Sequence, residues 1–173
     1  MDAELKDLRP LYVLAVDPGK STGWVLALVS QDDLVIEEYG QEIEDIRAAI
    51  DRVQAKVREV TTAPDVNLVV VTERFVVRTG AGYYPDVTPL KINATLDYLY
   101  PPGGRVHLRT QLPSQAKALV SNDALKRLGY YPFLMGSKIG QPDADDVRDA
   151  FRHLIYFGVK SLGLKGLSSR LAG

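Results

Sequence analysis

The stretch LYVLAVDPGKSTGWVLALVS, residues 11 to 30, decides the fold. Its first part is a nearly continuous apolar run, which is typical of a strand buried on both faces of a sheet. A Pro-Gly turn follows, and a second apolar run occupies residues 23–30. This pattern predicts two antiparallel strands. Asp17 ends the first strand, and Gly23, without a side chain, is expected to let the next strand or a bound substrate come close.

The letters GKS in this stretch look like the end of a nucleotide-binding P-loop. That motif requires a glycine five positions before its second Gly, and position 14 is Leu inside the predicted strand. A P-loop also leads into a helix, whereas this turn leads into a second strand. We therefore interpret it as a strand-connecting turn, with Lys20 as a candidate contact for a substrate phosphate, and expect no nucleotide cofactor.

The remaining chain alternates between strands and helices. We predict further strands at 33–40, 67–73 and 105–110, and helices over 43–60, 88–100, 114–129 (one or two helices, broken near Ser121) and 143–159. An antiparallel three-strand meander followed by parallel strands indicates an α/β fold with a mixed sheet flanked by helices. One domain is expected over residues 1–160. The Gly/Ser-rich segment 161–173 is expected to be a flexible tail.

The predicted helix 88–100 is apolar on two opposite sides. Leu90, Ala94 and Tyr98 share one side, while the other side carries Ile92, Leu96 and Leu99. A helix of this kind needs two partners, the sheet on one side and another helix or another subunit on the other.

Composition limits the class of protein. Without cysteine, the chain has neither a disulfide framework nor a zinc site built on thiolates. No apolar run is long enough to span a membrane, and the charged N-terminal residues do not form a signal peptide, so a cytoplasmic location is expected. The net charge is −1, but residues 74–138 contain nine basic and three acidic side chains. Such a basic segment is suited to binding phosphates.

Acidic residues follow the two most apolar strands and recur on the last helix. Asp17 ends the first strand and Glu73 ends the strand 67–73, where α/β sheets place functional groups. Asp146 and Asp149 are three residues apart and share a helix face. A buried carboxylate is costly unless a hard cation compensates its charge. Together they predict a site for two Mg²⁺ or Mn²⁺ ions that hydrolyses a phosphodiester.

Three segments, LAVDPGKSTGW, VVVTERF and DDVRDAFRHL, resemble the carboxylate motifs of RuvC-type Holliday junction resolvases, and most closely those of the short bacteriophage members. The resemblance covers residues 11–160. It implies an RNase H-like fold, a homodimer, and cleavage of Holliday junctions or other branched DNA with Mg²⁺ or Mn²⁺, in the host cytoplasm if a phage encodes the chain. By position, Asp17, Glu73, Asp146 and Asp149 take the metal-binding and catalytic roles.

The resemblance also suggests residues that bind the substrate. Phe75 matches an aromatic residue at the junction-facing surface, and Lys117 and Lys126 match basic residues before the last helix. Arg74 and Arg78 belong to the basic, aromatic loop RFVVRTGAGYY, which is suited to stacking on or opening a base step. His153 lies one turn after Asp149 and is a secondary candidate for the metal site or a phosphate.

Two alternatives stay open. One is an RNA-processing nuclease related to RuvC. The other, from a different class, is a nucleotide-binding protein of the actin/hexokinase type, whose phosphate loop also follows a strand. That class needs a second, duplicated domain, for which 173 residues leave little room. Cleavage of a four-way junction rather than structured RNA, or ATP binding without cleavage, separates these hypotheses.

Overall fold

The structure is a computed structural model that describes residues 10–43, 45–75, 86–130 and 144–173, with the backbone alone at 43, 144 and 145. In this part of the chain, five strands form one sheet in the order β3-β2-β1-β4-β5. Their bounds are β1 Leu11–Asp17, β2 Ser21–Ser30, β3 Asp33–Ile43, β4 Asn67–Glu73 and β5 Val106–Gln111.

The strand directions confirm the predicted mixed sheet. β1 and β2 pair antiparallel, as do β2 and β3, whereas β4 runs parallel to both β1 and β5. β3 extends three residues beyond the predicted strand because β2 continues to offer it a partner, up to the pair Ser21 and Ile43. Ile43 therefore belongs to a strand and not to the helix in which the apolar spacing placed it.

Helices cover both faces of the sheet. Their bounds in the described residues are α1 Ile46–Thr61, α2 Thr88–Leu99, α3 Pro113–Leu119, α4 Asn122–Arg127, α5 Ala144–Phe157 and α6 Lys165–Ala172, with a π-helical turn at Gly158–Leu162. The predicted interruption near Ser121 is present, since its hydroxyl caps α4 by accepting a hydrogen bond from the Ala124 N–H at 3.1 Å. None of the described helices combines the length and the apolar character needed to cross a bilayer.

The start of α2 at Thr88 agrees with the predicted start, and Val87 is the capping residue. The carboxylate of Asp86 accepts a hydrogen bond from the Thr88 backbone N–H at 2.9 Å. An acidic group in this position also interacts favourably with the positive end of the helix dipole.

Two apolar layers hold the sheet. One packs the sheet against α5 and includes Phe151 and Leu154. The other packs the opposite face against α1 and α2 and includes Trp24 and Ile92. Because both faces of the central strands are covered, β1 and β4 read as continuous apolar runs in the sequence.

The expectation of a frayed segment at 161–173 is wrong. Residues 165–172 form α6, and Leu167 and Leu171 are buried against the core. The Leu167 N–H donates a hydrogen bond to the Asp32 carbonyl at 3.0 Å. Arg170 donates to the Leu128 carbonyl at 2.7 Å and pairs with Asp33 at 2.5 Å. The glycine and serine residues of this segment suggested a flexible tail, although its regularly spaced leucines pack in the core.

Candidate active site

The carboxyl ends of three parallel strands meet at one edge of the sheet. β1 lies beside β4 with Val16 opposite Thr72, and β4 lies beside β5 with Glu73 opposite Gln111. Asp17 is the next residue of β1 after Val16. This register therefore places two acids and an amide at neighbouring strand ends, the position at which α/β sheets carry functional groups.

The alternation of side chains decides which face these groups occupy. Val13 and Ala15 of β1 and Val71 of β4 belong to the apolar layer beneath α5. Because side chains alternate with a period of two along a strand, Asp17 and Glu73 point to that same face. The strand-end acids therefore face the helix that carries the remaining predicted site residues.

Gly23 allows α5 to approach the sheet closely at this edge. It is the antiparallel partner of Asp17 in β2. A Cβ on Gly23 would lie 2.3 Å from the Asp146 carbonyl carbon and oxygen, so only glycine fits. The close approach anticipated from the sequence is thus made by the backbone of α5, and not by the next strand.

Three side chains converge with the geometry of a cation site. Ligand atoms of Asp17, Glu73 and His153 all lie within 4.8 Å of one another, a set found among the described residues. Two carboxylates and an imidazole are suitable ligands for a divalent cation. Asp146 and Asp149 are not members of this close group, although their charges act on Asp17.

The electrostatics of Asp17 favour a bound cation. Burial raises the pKa of the Asp17 carboxyl well above its usual value, and the negative charges of Glu73, Asp149 and Asp146 raise it further. The ammonium of Lys117 lowers this pKa, but as the smallest contribution. A carboxylate held ionised here needs additional positive charge close by, which a divalent cation supplies.

Asp149 is held between two basic side chains. Lys117 Nζ lies 2.7 Å from Asp149 Oδ2, and Arg152 forms an ion pair with Oδ1 of the same carboxylate. Arg152 is fixed in turn by a 3.0 Å hydrogen bond to the Val120 carbonyl and by a bond to the Asn122 side chain. The hydrogen bond to Asp149 is the main reason that the pKa of Lys117 is raised, so this lysine is firmly cationic.

The end of β4 is anchored by helix α2. Asn93 Nδ2 donates a 2.7 Å hydrogen bond to the Glu73 backbone carbonyl, and Asn93 Oδ1 accepts one of 2.7 Å from the Thr72 hydroxyl. Both Asn93 and Thr72 are buried. The backbone of the strand-end acid is therefore positioned by the helix on the opposite face of the sheet.

The predicted DNA-binding residues have different surroundings. Lys20 is exposed in the β1–β2 turn, and Arg74 is exposed directly after Glu73. Phe75 is partly buried, and Lys126 lies on α4 with its ammonium 3.6 Å from Asp123. Arg78, with the rest of residues 76–85, lies outside the described residues.

Two residues of the site were missed by sequence reasoning. Gln111 contacts His153 and ends β5 beside Glu73. Since functional groups lie at the carboxyl ends of strands, the end of this third strand would have pointed to Gln111. Arg152 lies three residues after Asp149 on α5, a spacing at which side chains meet on a helix. Neither is acidic, and both were therefore overlooked in a search for carboxylates.

Comparisons with known proteins bear on the fold. No protein-family model matches the chain, and no curated protein matches it. The solved structure of Thermus thermophilus RuvC is 17% identical, covering 88% of this chain and 97% of RuvC, with a TM-score of 0.50. The yeast mitochondrial Holliday junction resolvase Ydc2 is 16% identical, covering 92% of this chain and 80% of its own, with a TM-score of 0.52.

Structural similarity at such low sequence identity establishes the fold alone. The chemistry is therefore inferred from the residues of the site. The strand order, the mixed strand directions and the helix packed across the carboxyl ends agree with the resemblance seen in the three sequence segments. The chain has the RNase H-like fold of RuvC-type Holliday junction resolvases.

Proposed function

We propose that this chain is a metal-dependent endonuclease that hydrolyses phosphodiester bonds in Holliday junctions or other branched DNA. The convergence of Asp17 and Glu73 with the residues of α5 at one edge of the sheet carries the proposal. A partly buried cluster of like charges is unfavourable in itself, and folds retain such clusters where they serve a site.

The residues fit a divalent cation, as the donor set and the raised pKa of Asp17 indicate. We propose Asp17, Glu73, Asp146 and Asp149 as the residues that hold two Mg²⁺ or Mn²⁺ ions. The ions would supply an activated water and stabilise the leaving oxygen of the phosphodiester. The residues themselves supply the fixed negative charge that retains the ions at the strand ends.

Lys117 is proposed to contact the phosphate that is cleaved. Its ammonium lies against Asp149, and its side chain is 53% exposed, so its outer side is accessible to DNA. In this position it would neutralise a non-bridging oxygen on which charge develops during cleavage. Lys20, Arg74 and Phe75 lie on segments that leave the same sheet edge and are proposed to bind the flanking strands, with Arg78 and Lys126 as further contacts.

The choice of substrate rests on the fold. Ydc2, with which the chain shares its fold, is a Holliday junction resolvase, which makes branched DNA the first substrate to test. The excess of basic residues between positions 74 and 138 also suits a nucleic acid.

The test is a cleavage assay on matched substrates. A four-way junction, a three-way junction, a flap, a linear duplex and a structured RNA are incubated with the protein and Mn²⁺, Mg²⁺ or a chelator. We expect metal-dependent cutting of branched DNA over duplex. Asp17→Asn and Glu73→Gln should abolish cutting while junction binding stays measurable. Preferential cutting of RNA would favour the RNA-processing alternative, and full activity of either variant would refute the assigned site.

We also propose that the chain acts as a homodimer through the outer face of α2. Leu90 is 49% and Tyr98 is 84% exposed on this face, whereas Ile92 and Leu96 on the inner face are fully buried. The exposed Ala94 lies between Leu90 and Tyr98, so these three side chains follow one another at a spacing of four residues and form a continuous stripe on the helix. A second copy covering this stripe would place two sites on one junction, as paired incision of a four-way junction requires.

A further inference from the structure

Two side-chain contacts connect Gln111 to His153 and His153 to Glu73, one of the acids of the proposed metal site. His153 Nδ1 lies 3.0 Å from Gln111 Oε1, and His153 Nε2 lies 3.1 Å from Glu73 Oε2. His153 is 1% and Gln111 is 7% exposed. Burying polar side chains this deeply costs free energy unless they are hydrogen-bonded. The contacts of His153 and Gln111 therefore hold both side chains in this arrangement.

The contact with Gln111 determines the form of the imidazole ring. Because the Gln111 carbonyl oxygen is an acceptor, the ring nitrogen facing it, Nδ1, carries the hydrogen and donates it. In the neutral ring the other nitrogen, Nε2, then directs a lone pair towards the Glu73 carboxylate. Two acceptors at 3.1 Å repel each other unless a metal cation or a second ring proton lies between them.

The spacing of these two acceptors suits a shared metal ion. Two ligand atoms bound at right angles, each about 2.1 Å from one ion, are about 3.0 Å apart. The ligand atom of Asp17 completes a group of three within 4.8 Å. A histidine that binds a metal nearly always donates its other ring N–H to an oxygen acceptor, which is the part that Gln111 plays here.

We propose that His153 is a nitrogen ligand of the cation held by Asp17 and Glu73, that Gln111 is its positioning residue, and that the site thereby selects Mn²⁺ over Mg²⁺. The inference rests on the metal site of the proposed function. Mg²⁺ prefers an all-oxygen shell, whereas first-row transition ions accept imidazole nitrogen readily. The histidine thus decides between two ions that carboxylates alone distinguish poorly.

The opposite orientation of the Gln111 amide makes a contrasting prediction. Its nitrogen would then donate to Nδ1, and His153 Nε2–H would donate to Glu73. His153 would serve as a hydrogen-bond anchor and would not bind metal. In the orientation that the structure shows, Gln111 Nε2 is buried and has no hydrogen-bond partner among the described residues, so experiment distinguishes the two orientations.

Metal binding to the full chain without DNA tests the proposal directly. Pulsed electron paramagnetic resonance on the Mn²⁺-loaded protein should show a ¹⁴N coupling that changes to ¹⁵N when histidine is isotopically labelled. The chain contains two histidines. The coupling should persist in His107→Gln and disappear in His153→Gln. Mn²⁺ bound without any histidine coupling, or equal affinities for Mn²⁺ and Mg²⁺ by titration, would overturn the proposal.

Variants of Gln111 test its positioning role. Gln111→Leu should weaken Mn²⁺ binding by about 10–100-fold, the usual effect of losing the partner of a metal-binding histidine. Gln111→Glu keeps an oxygen acceptor for Nδ1–H and should retain Mn²⁺ binding and the nitrogen coupling. Loss of Mn²⁺ binding in Gln111→Glu, with the fold intact by circular dichroism, would contradict this role.

These readouts are independent of the proposed activity. Nitrogen coupling in a protein that cuts no branched DNA would support His153 as a ligand while refuting the nuclease. Junction cleavage in a protein whose Mn²⁺ shows no nitrogen coupling would do the reverse.

Discussion

At the residue scale, Asp17 shows how a site of this kind opposes stability. Its pKa is raised in the folded state, first by burial and then by three neighbouring acids, so ionising it costs folding free energy. This cost is absent below the ordinary pKa of an aspartate. It grows as the pH rises from that value to the raised folded pKa, above which it is fully present. Without metal, the protein should therefore lose stability over this interval.

Asp17→Asn should accordingly stabilise the metal-free protein while removing its activity. At neutral pH we expect a higher Tm than wild type in the presence of a chelator, by a few degrees for each ~1 kcal/mol gained. The difference should shrink as the pH falls towards the ordinary aspartate range. Mn²⁺ should raise the Tm of wild type more than that of the variant. Thermal unfolding across pH measures all three effects. If the variant is less stable than wild type in the presence of chelator, ionised Asp17 does not cost the folded protein stability.

Lys117 and Lys126 give a contrasting pair at the same scale. Lys117 contacts Asp149 within the site, whereas Lys126 pairs with Asp123 on the surface of α4. Lys117→Ala should lower the cleavage rate of the bound junction more than it lowers affinity. Lys126→Ala should leave that rate unchanged, and loss of one phosphate contact should reduce the salt dependence of binding by about one unit of slope. Single-turnover rates with binding isotherms at several salt concentrations separate the effects. Equal rate losses in both variants would remove Lys117 from the reaction.

At the scale of elements, the sequence predicted strands better than side-chain partners. β1 and β4 were found at their observed bounds because buried parallel strands are apolar throughout and end abruptly at an acid. The polar contact between Gln111 and His153 depends on which strand lies beside which helix. Such pairings are long-range and leave no local periodic signal. The same limit applies to α6, whose burial follows from its docking against the β2–β3 turn and not from its composition.

The packing of α5 on β2 yields a prediction for this element pair. Gly23→Ala would force its Cβ against the Asp146 backbone and move α5 away from the strand ends. We expect the free energy of unfolding to fall by about 1–3 kcal/mol, the usual cost of overpacking, together with loss of cleavage. Gly104→Ala is the matched control, because its Cβ would meet only ordinary contacts at 3.8 and 3.9 Å. Urea unfolding compares the two, and a Gly23 variant as stable as the Gly104 variant would contradict the close approach.

At the scale of the whole molecule, one helix links the proposed interface to the proposed site. The outer face of α2 exposes Leu90 and Tyr98. On its inner side, Asn93 accepts a hydrogen bond from the Thr72 side-chain hydroxyl and donates one to the Glu73 backbone carbonyl. A subunit that docks on α2 therefore contacts the element that positions a proposed catalytic acid. Dimerisation and the geometry of the site are expected to be coupled through these two hydrogen bonds.

Tyr98→Glu tests the dimer and this coupling together. Tyr98 is 84% exposed, so the substitution has little effect on the folded subunit but places a charge on the proposed apolar interface. We expect a monomer, by light scattering, at concentrations where the wild type is a dimer. The monomer should nick one strand of a junction and fail to make the paired second cut.

Val35→Glu, at a 48% exposed apolar side chain on β3, is the control and should stay dimeric. A Tyr98 variant that remains dimeric would place the interface elsewhere, and a monomeric variant that still makes paired cuts would show that one junction does not need two linked sites.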